Sequence, residues 1–255
     1  MTDEKRKEVL DFLLKGKSIG DIIEKNIPQY LYKYRSGSAW DMDALENDSI
    51  WMACATKMDD PLDSKILLSE KSKAQIRYVI NNVDKFRSEK YRIHLEEDSI
   101  QRECYLCSLS EEKNSQDMWS RYADNERGFC IEYDARKLVK KVKFPILPVY
   151  YDKKIEWECE DLSKLDKKSL IVCNFLIKDK LGKQGEDWYS QREWRIISFK
   201  NNMEFENDAQ DGKCIQVIKP TRIILGKNII DKNKKRIIHW QEKKENQHIM
   251  IVQRV

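Results

Sequence analysis

Three short stretches of this chain carry side chains that could do chemistry together. Gln191 and Glu193 stand at the mouth of an apolar run, WRIISF (194–199), that reads as a strand. Residues two apart on a strand project to one face, so an amide sits beside a carboxylate. LYKYRS (31–36) sets Lys33 and Arg35 on one strand face, where β-branched or aromatic residues would be ordinary, and CYLCSLS (104–110) sets Ser108 and Ser110 on one face of another. A positioned carboxylate can stabilise positive charge developing on a sugar, and a forked guanidinium suits phosphate oxygens. A cross-strand ion pair made by Glu193 is the plain alternative.

Other familiar chemistries find little support. Cys104 and Cys107 form a single C-x-x-C with no second pair and no nearby His, short of a four-ligand zinc site, so no metal is expected. None of the three histidines (His94, His239, His248) lies beside a nucleophile motif, and LGKQGED (181–187) lacks the spacing of a phosphate-binding loop. Lys and Arg (48) nearly balance Asp and Glu (44), so charge alone does not name a nucleic-acid partner. The mixed-charge run 230–247 reads first as a solvated helix face. Seven scattered cysteines suit reduced thiols, and no run approaches the roughly 20 apolar residues of a spanning helix, so a cytoplasmic protein with no membrane association is expected.

The elements that must hold these residues follow from periodicity. Residues 1–29 read as an N-terminal helical segment with an apolar stripe, Val9, Leu10, Phe12, Leu13 and Leu14. Residues 30–255 read as a single α+β domain of mainly antiparallel strands, with a charged helical insertion over about 63–100. Strands are expected at 31–36, 49–55, 104–110, 128–134, 149–152, 194–199, 214–218, 222–226 and 249–255. Helices are expected near 38–48, 118–123, 162–181 and 231–240.

Taken together, Arg35, Ser108-Leu109-Ser110 and Gln191-Arg192-Glu193 resemble the ADP-ribosyltransferase constellation of the Arg-Ser-Glu type. That resemblance implies an ADP-ribosyltransferase-like core that uses NAD as substrate. Glu193 would be the catalytic carboxylate and Gln191 would orient the acceptor. Arg35 and Lys33 would hold the pyrophosphate, Ser108 and Ser110 would orient the ribose, and Tyr34, Trp119 or Tyr122 would stack the nicotinamide. A second resemblance covers residues 31 to 226, through LYKYRS, SIWMACATKMDDPLD, CYLCSLSEEKNSQDMWSRYADNERGFCIEYD and EDWYSQREWRI. These segments are similar to a large bacterial family catalogued only as a domain of unknown function (number twenty-nine seventy-one). The family's usual N-D-P turn is here Asp59-Asp60-Pro61, and its glutamate pair is here Gln191 and Glu193.

The function these resemblances imply is an NAD-dependent transferase, a toxin or anti-phage defence effector that modifies a macromolecule, nucleic acid or protein. An inhibitory antitoxin-type protein is a further implied partner, for which the stripe of residues 3–26 offers one surface. Two rivals stand beside it. One is an RNA-binding or RNA-cleaving module that uses Lys33, Arg35 and exposed aromatics without NAD. The other is a non-enzymatic interaction protein.

Overall fold

The computed structural model describes residues 1–60, 63, 67–75, 101–158, 167–182, 185–200 and 211–255. Its organising element is β4 (Cys104–Ser110), in which every residue but Ser108 is buried. A strand covered on both faces reads as a near-continuous run, not as alternation. On one edge, β10 (Glu193–Phe199) pairs antiparallel with all of it, from Glu193 opposite Ser110 to Phe199 opposite Cys104. The other edge is shared. β2 (Ser49–Cys54) meets it at Tyr105 and Leu106, and β1 (Tyr30–Arg35) meets it only through Tyr32 opposite Ser110. Among the described residues, Cys107–Leu109 therefore have no strand partner on that edge, and the sheet parts there.

The main sheet runs β11 (Gly212–Gln216), β2, β4, β1, β5 (Phe129–Asp134), β12 (Arg222–Leu225), β13 (Met250–Gln253), with β10 and β6 (Ile146–Pro148) branching from β4. Its pairings are antiparallel except for β12 with β13. Helices pack around the strands without alternating with them, so the α+β class holds. On one side α3 (Ala39–Glu46), α5 (Ala135–Lys141) and α7 (Asp231–Glu242) cover Leu31, Ile131 and Ile196. On the other, α1 (Asp3–Leu14) and α6 (Lys167–Phe175) cover Leu106, Leu147 and Ile197. Cys107 belongs to the first layer and Cys104 to the second, so the C-x-x-C pair diverges across the sheet. A third cluster gathers Tyr32, Tyr34, Trp119 and Cys130 beside α4 (Gln116–Tyr122).

Several expectations change. The apolar stripe of α1 is not offered to a partner: Val9 and Leu10 are buried, and Leu13 and Leu14 pack on the second layer. Arg6, fully buried, reaches across to donate to the carbonyls of Val149 at 2.7 Å and Glu193 at 2.9 Å. The helix expected at 162–181 is seen over Lys167–Phe175, with 159–166 outside the described residues. It stops because β9 (Ile177–Lys178) pairs with β7 (Tyr150–Tyr151). The expected strand 149–152 is thus shortened to β7, and β6 ends before it at Pro148. In the expected insertion 63–100, Leu67–Leu68 (β3) is extended and pairs with Glu156–Trp157 (β8), while 61–62, 64–66 and 76–100 lie outside the described residues.

Because α1 is part of the core, Leu10→Ala should cost about 2–5 kcal/mol, the usual range for a buried leucine. Urea unfolding checks this, and a loss under about 0.5 kcal/mol would mean that the helix does not contribute to the fold.

Candidate active site

The parting beside β4 is the mouth of a cleft of about 230 Å³. β1 lines it with Lys33 and Arg35, β4 with Ser108, α4 with Tyr122, and the approach to β10 with Gln191 and Glu193. Lys33 crosses the gap in the sheet, its Nζ donating to the Ser108 carbonyl at 2.7 Å. Burial depresses the Lys33 ammonium below the ordinary lysine value. Arg35 leans on Asp41 at 3.5 Å, and its Nε is buried with no hydrogen-bond partner. A guanidinium with an unused donor at a cleft is suited to an anion.

Gln191 and Glu193 do meet, but not by strand alternation. Gln191 ends a 3-10 turn (Tyr189–Gln191), the strand starts only at Glu193, and Arg192 between them is left-handed with φ 45°. That conformation is costly for a residue with a Cβ and persists where surroundings fix it. Here Arg192 bonds Asp3 at 2.9 Å and Glu111 at 3.1 Å. Glu111 also accepts from the Trp194 indole at 2.9 Å and pairs with Arg6 at 2.9 Å. The N-terminal helix and the end of β4 thus clamp the turn from behind.

What draws the pair together is a buried set of ions. Lys178 Nζ donates to Gln191 Oε1 at 3.1 Å and to Glu193 Oε2 at 3.2 Å. Arg195 holds Glu193 with Nε at 2.8 Å and Nη2 at 3.0 Å, and grips Asp63 at 2.8 and 2.5 Å. Arg195 is wholly buried, and Asp63, Lys178 and Glu193 are nearly so. Burial pushes the Glu193 carboxyl up, but Arg195, Lys178 and a hydrogen bond from Ser108 outweigh it and hold Glu193 well below 4.5. The same cations outweigh burial at Asp63 and keep it below 3.8. Glu193 is therefore a fixed anion and not a proton shuttle. On the outer side Gln191 Nε2 donates to the Tyr122 hydroxyl at 3.1 Å, and Tyr122 bonds Asp59 of the D-D-P turn.

Two residues expected at the site, Trp119 and Ser110, lie elsewhere, and a third, Tyr34, borders the cleft with its ring packed into a neighbouring cluster. The Trp119 indole is fully buried, donates to the Lys113 carbonyl at 2.9 Å and meets Tyr34 edge to face at 5.2 Å. Tyr34 turns its ring into that same cluster and donates to the Glu112 carbonyl at 2.6 Å, as alternation with Lys33 and Arg35 requires. Ser110, fully buried, donates to the Gln191 carbonyl at 2.6 Å and accepts from the Glu112 N–H at 2.9 Å, so it pins the turn and faces no ligand. Of the aromatic candidates, Tyr122 brings its side chain to Gln191 at the cleft.

The comparisons with known proteins bear on this region. The model of a family described as Protein of unknown function (DUF2971) matches residues 118–196. That is the family which the sequence resembles. The DUF2971 match runs from α4 to Ile196, narrower than the expected 31–226, and includes Tyr122, Lys178, Gln191, Glu193 and Arg195. Lys33, Arg35, Asp63 and Ser108 lie outside it. No curated protein and no solved structure matches the chain.

Asp63, Lys178 and Arg195 were missed by the reading of the sequence. One signal was present: Arg195 continues the 191, 193 spacing, a charged residue within a mostly apolar run. Among the described residues no cluster of three or more His, Cys, Asp or Glu side chains could hold a metal ion, and no helix is long and apolar enough to cross a membrane.

Both buried carboxyls have folded values below their unfolded ones, so their stabilisation is present above about pH 4.5 and is lost as the pH falls through the folded values. Asp63→Asn should cost about 3–5 kcal/mol at neutral pH, because it leaves a buried cation short of a partner. It should also shrink the fall in melting temperature between pH 5 and pH 3. An unchanged acid limb in differential scanning calorimetry would contradict this assignment.

Proposed function

We propose that the protein is an ADP-ribosyltransferase-like enzyme that breaks the nicotinamide–ribose bond of NAD and passes ADP-ribose to a macromolecular acceptor. The observation that supports this reading is convergence: a phosphate-binding type of cation, a serine, an aromatic hydroxyl, an amide and a carboxylate reach one cleft from four separate parts of the chain. In the reaction the C–N bond breaks with its electron pair leaving on nicotinamide. The ribose carbon becomes cationic, and an acceptor nucleophile adds to it as the acceptor loses a proton to solvent. Glu193 is the fixed anion facing that cation, Arg35 and Lys33 hold the pyrophosphate, Ser108 orients the ribose, Tyr122 lies against the nicotinamide, and Gln191 orients the acceptor.

Two features shape the mechanism. Glu193 takes donors from Arg195 twice, from Lys178 and from Ser108, which fills the roughly four acceptor sites of a carboxylate. A ribose hydroxyl therefore reaches it by displacing the Ser108 hydroxyl. The cleft, at about 230 Å³, is below the usual range of roughly 300–1,000 Å³ for ligand pockets, so the far half of a dinucleotide extends past its rim. In this reading the enzyme serves as a toxin or anti-phage effector held silent by an antitoxin-type protein. Such a partner does not use the apolar stripe of α1, which is packed on the core.

The filled coordination of Glu193 favours one second reading: a nucleotide-binding cleft in which the carboxylate is structural. Nicotinamide release from NAD separates the two. Because Glu193→Gln disturbs a buried ion set, it also lowers stability, so Leu138→Ala, a core truncation in α5, serves as the destabilised control. Per folded molecule, Glu193→Gln should lower nicotinamide release by at least about 100-fold while Leu138→Ala keeps it. Equal losses in the two variants, or no release by folded wild-type protein offered RNA, DNA and protein acceptors, would support the binding reading instead.

A further inference from the structure

The rim of the cleft carries an aromatic ring that the proposed reaction does not use. Trp51, on β2, lines the cleft yet is 42% exposed. Its neighbours Ile50 and Met52 point into the core, so alternation turns the indole outward. Its seat is specific. Gly212 on β11 pairs beside it, and a Cβ added to Gly212 would lie 2.5 Å from Cζ2 and 2.6 Å from Cε2 of Trp51. The ring therefore rests against bare backbone on one side and is open on the other.

Cations stand beside it in the same cleft. Lys57 pairs with Asp211 at 3.0 Å, but both side chains are more than half exposed, and a pair of that kind is weak enough for the lysine to turn to another anion. Arg35, with its unpartnered Nε, lines the same space. Asp59 and Asp60 line it as well, which disfavours a long phosphate track and limits the site to one or two nucleotides. A flat face next to one or two phosphate-binding cations is the complement of a nucleotide.

We infer that Trp51, with Lys57 beside it, forms a nucleobase-stacking subsite at the rim of the cleft. The base comes from one of two sources: the adenine end of a dinucleotide extending out of the cleft, or a single-stranded nucleic-acid acceptor. The subsite rests on the geometry of the rim and does not require that NAD be cleaved.

The test measures binding alone. ADP-ribose is titrated by calorimetry, and a fluorescein-labelled ten-nucleotide single-stranded RNA by anisotropy, into wild type, Trp51→Leu and Trp51→Tyr. Leucine keeps apolar bulk without a π face, and tyrosine keeps a ring. Melting curves verify that all three are folded. Trp51→Leu should weaken at least one ligand by about 5- to 100-fold, the span of a lost base–aromatic stack, with Trp51→Tyr recovering most of it. Loss confined to ADP-ribose identifies the adenine of the dinucleotide, and loss confined to RNA identifies an acceptor base. Wild-type affinity of Trp51→Leu for both ligands, or no binding of either by wild type, overturns the subsite. RNA binding that depends on Trp51 without nicotinamide release would leave the subsite standing while the transferase reading failed.

Discussion

The site depends on one interaction, the buried contact of Arg195 with Asp63 and Glu193, extended by Lys178. Each of these charges alone would be costly to bury. Two carboxylates balance two cations, and each group is oriented by more than one partner. The gain is positional more than energetic, because apolar groups of the same volume often stabilise a core at least as well as buried ions do. Arg195 ties the strand that carries Glu193 to the turn that carries Asp63, and it also donates to the Phe175 carbonyl at 2.6 Å, at the end of α6. Lys178 brings Gln191 to the same point from β9. Three connections distant in sequence are thereby locked around one carboxylate.

The parted sheet is the second constraint. β4 gives one whole edge to β10 and divides the other between β1 and β2. A gap in a ladder leaves main-chain groups to satisfy, and Lys33 supplies a donor to one of them. The gap exposes Ser108, the least buried residue of β4, to the space that Arg35, Tyr122 and Gln191 also line.

Much of this was legible in the sequence, though unevenly. β1, β5 and β10 are short runs rich in aromatic or β-branched residues, and β4 is a run of Cys, Tyr and Leu broken by two serines; their inward positions follow from a period of two. Lys33, Arg35 and Ser108 stood out because polar residues are unusual there. The ion partners were not legible, because Asp63 and Arg195 are 132 residues apart in sequence and nothing local links them. Gln191 beside Glu193 was expected for the wrong geometric reason: the left-handed Arg192, held by Asp3 and Glu111, does what strand alternation was thought to do. Trp119 and Ser110 were misplaced because residue type does not reveal whether an aromatic or a serine spends its polar atoms on the backbone. Here each bonds a main-chain carbonyl.

The central claim is that a nucleotide enters the parting beside β4 and meets the ion set that holds Glu193. The most direct measurement is a titration of isotopically labelled protein with a non-cleavable NAD analogue, following backbone and side-chain amide signals by NMR. The expected result is saturable shifts at Lys33, Ser108 and the Gln191 side-chain amide, with the outer strands β12 and β13 unmoved. Saturable shifts confined to another surface, or none at millimolar analogue, would contradict it.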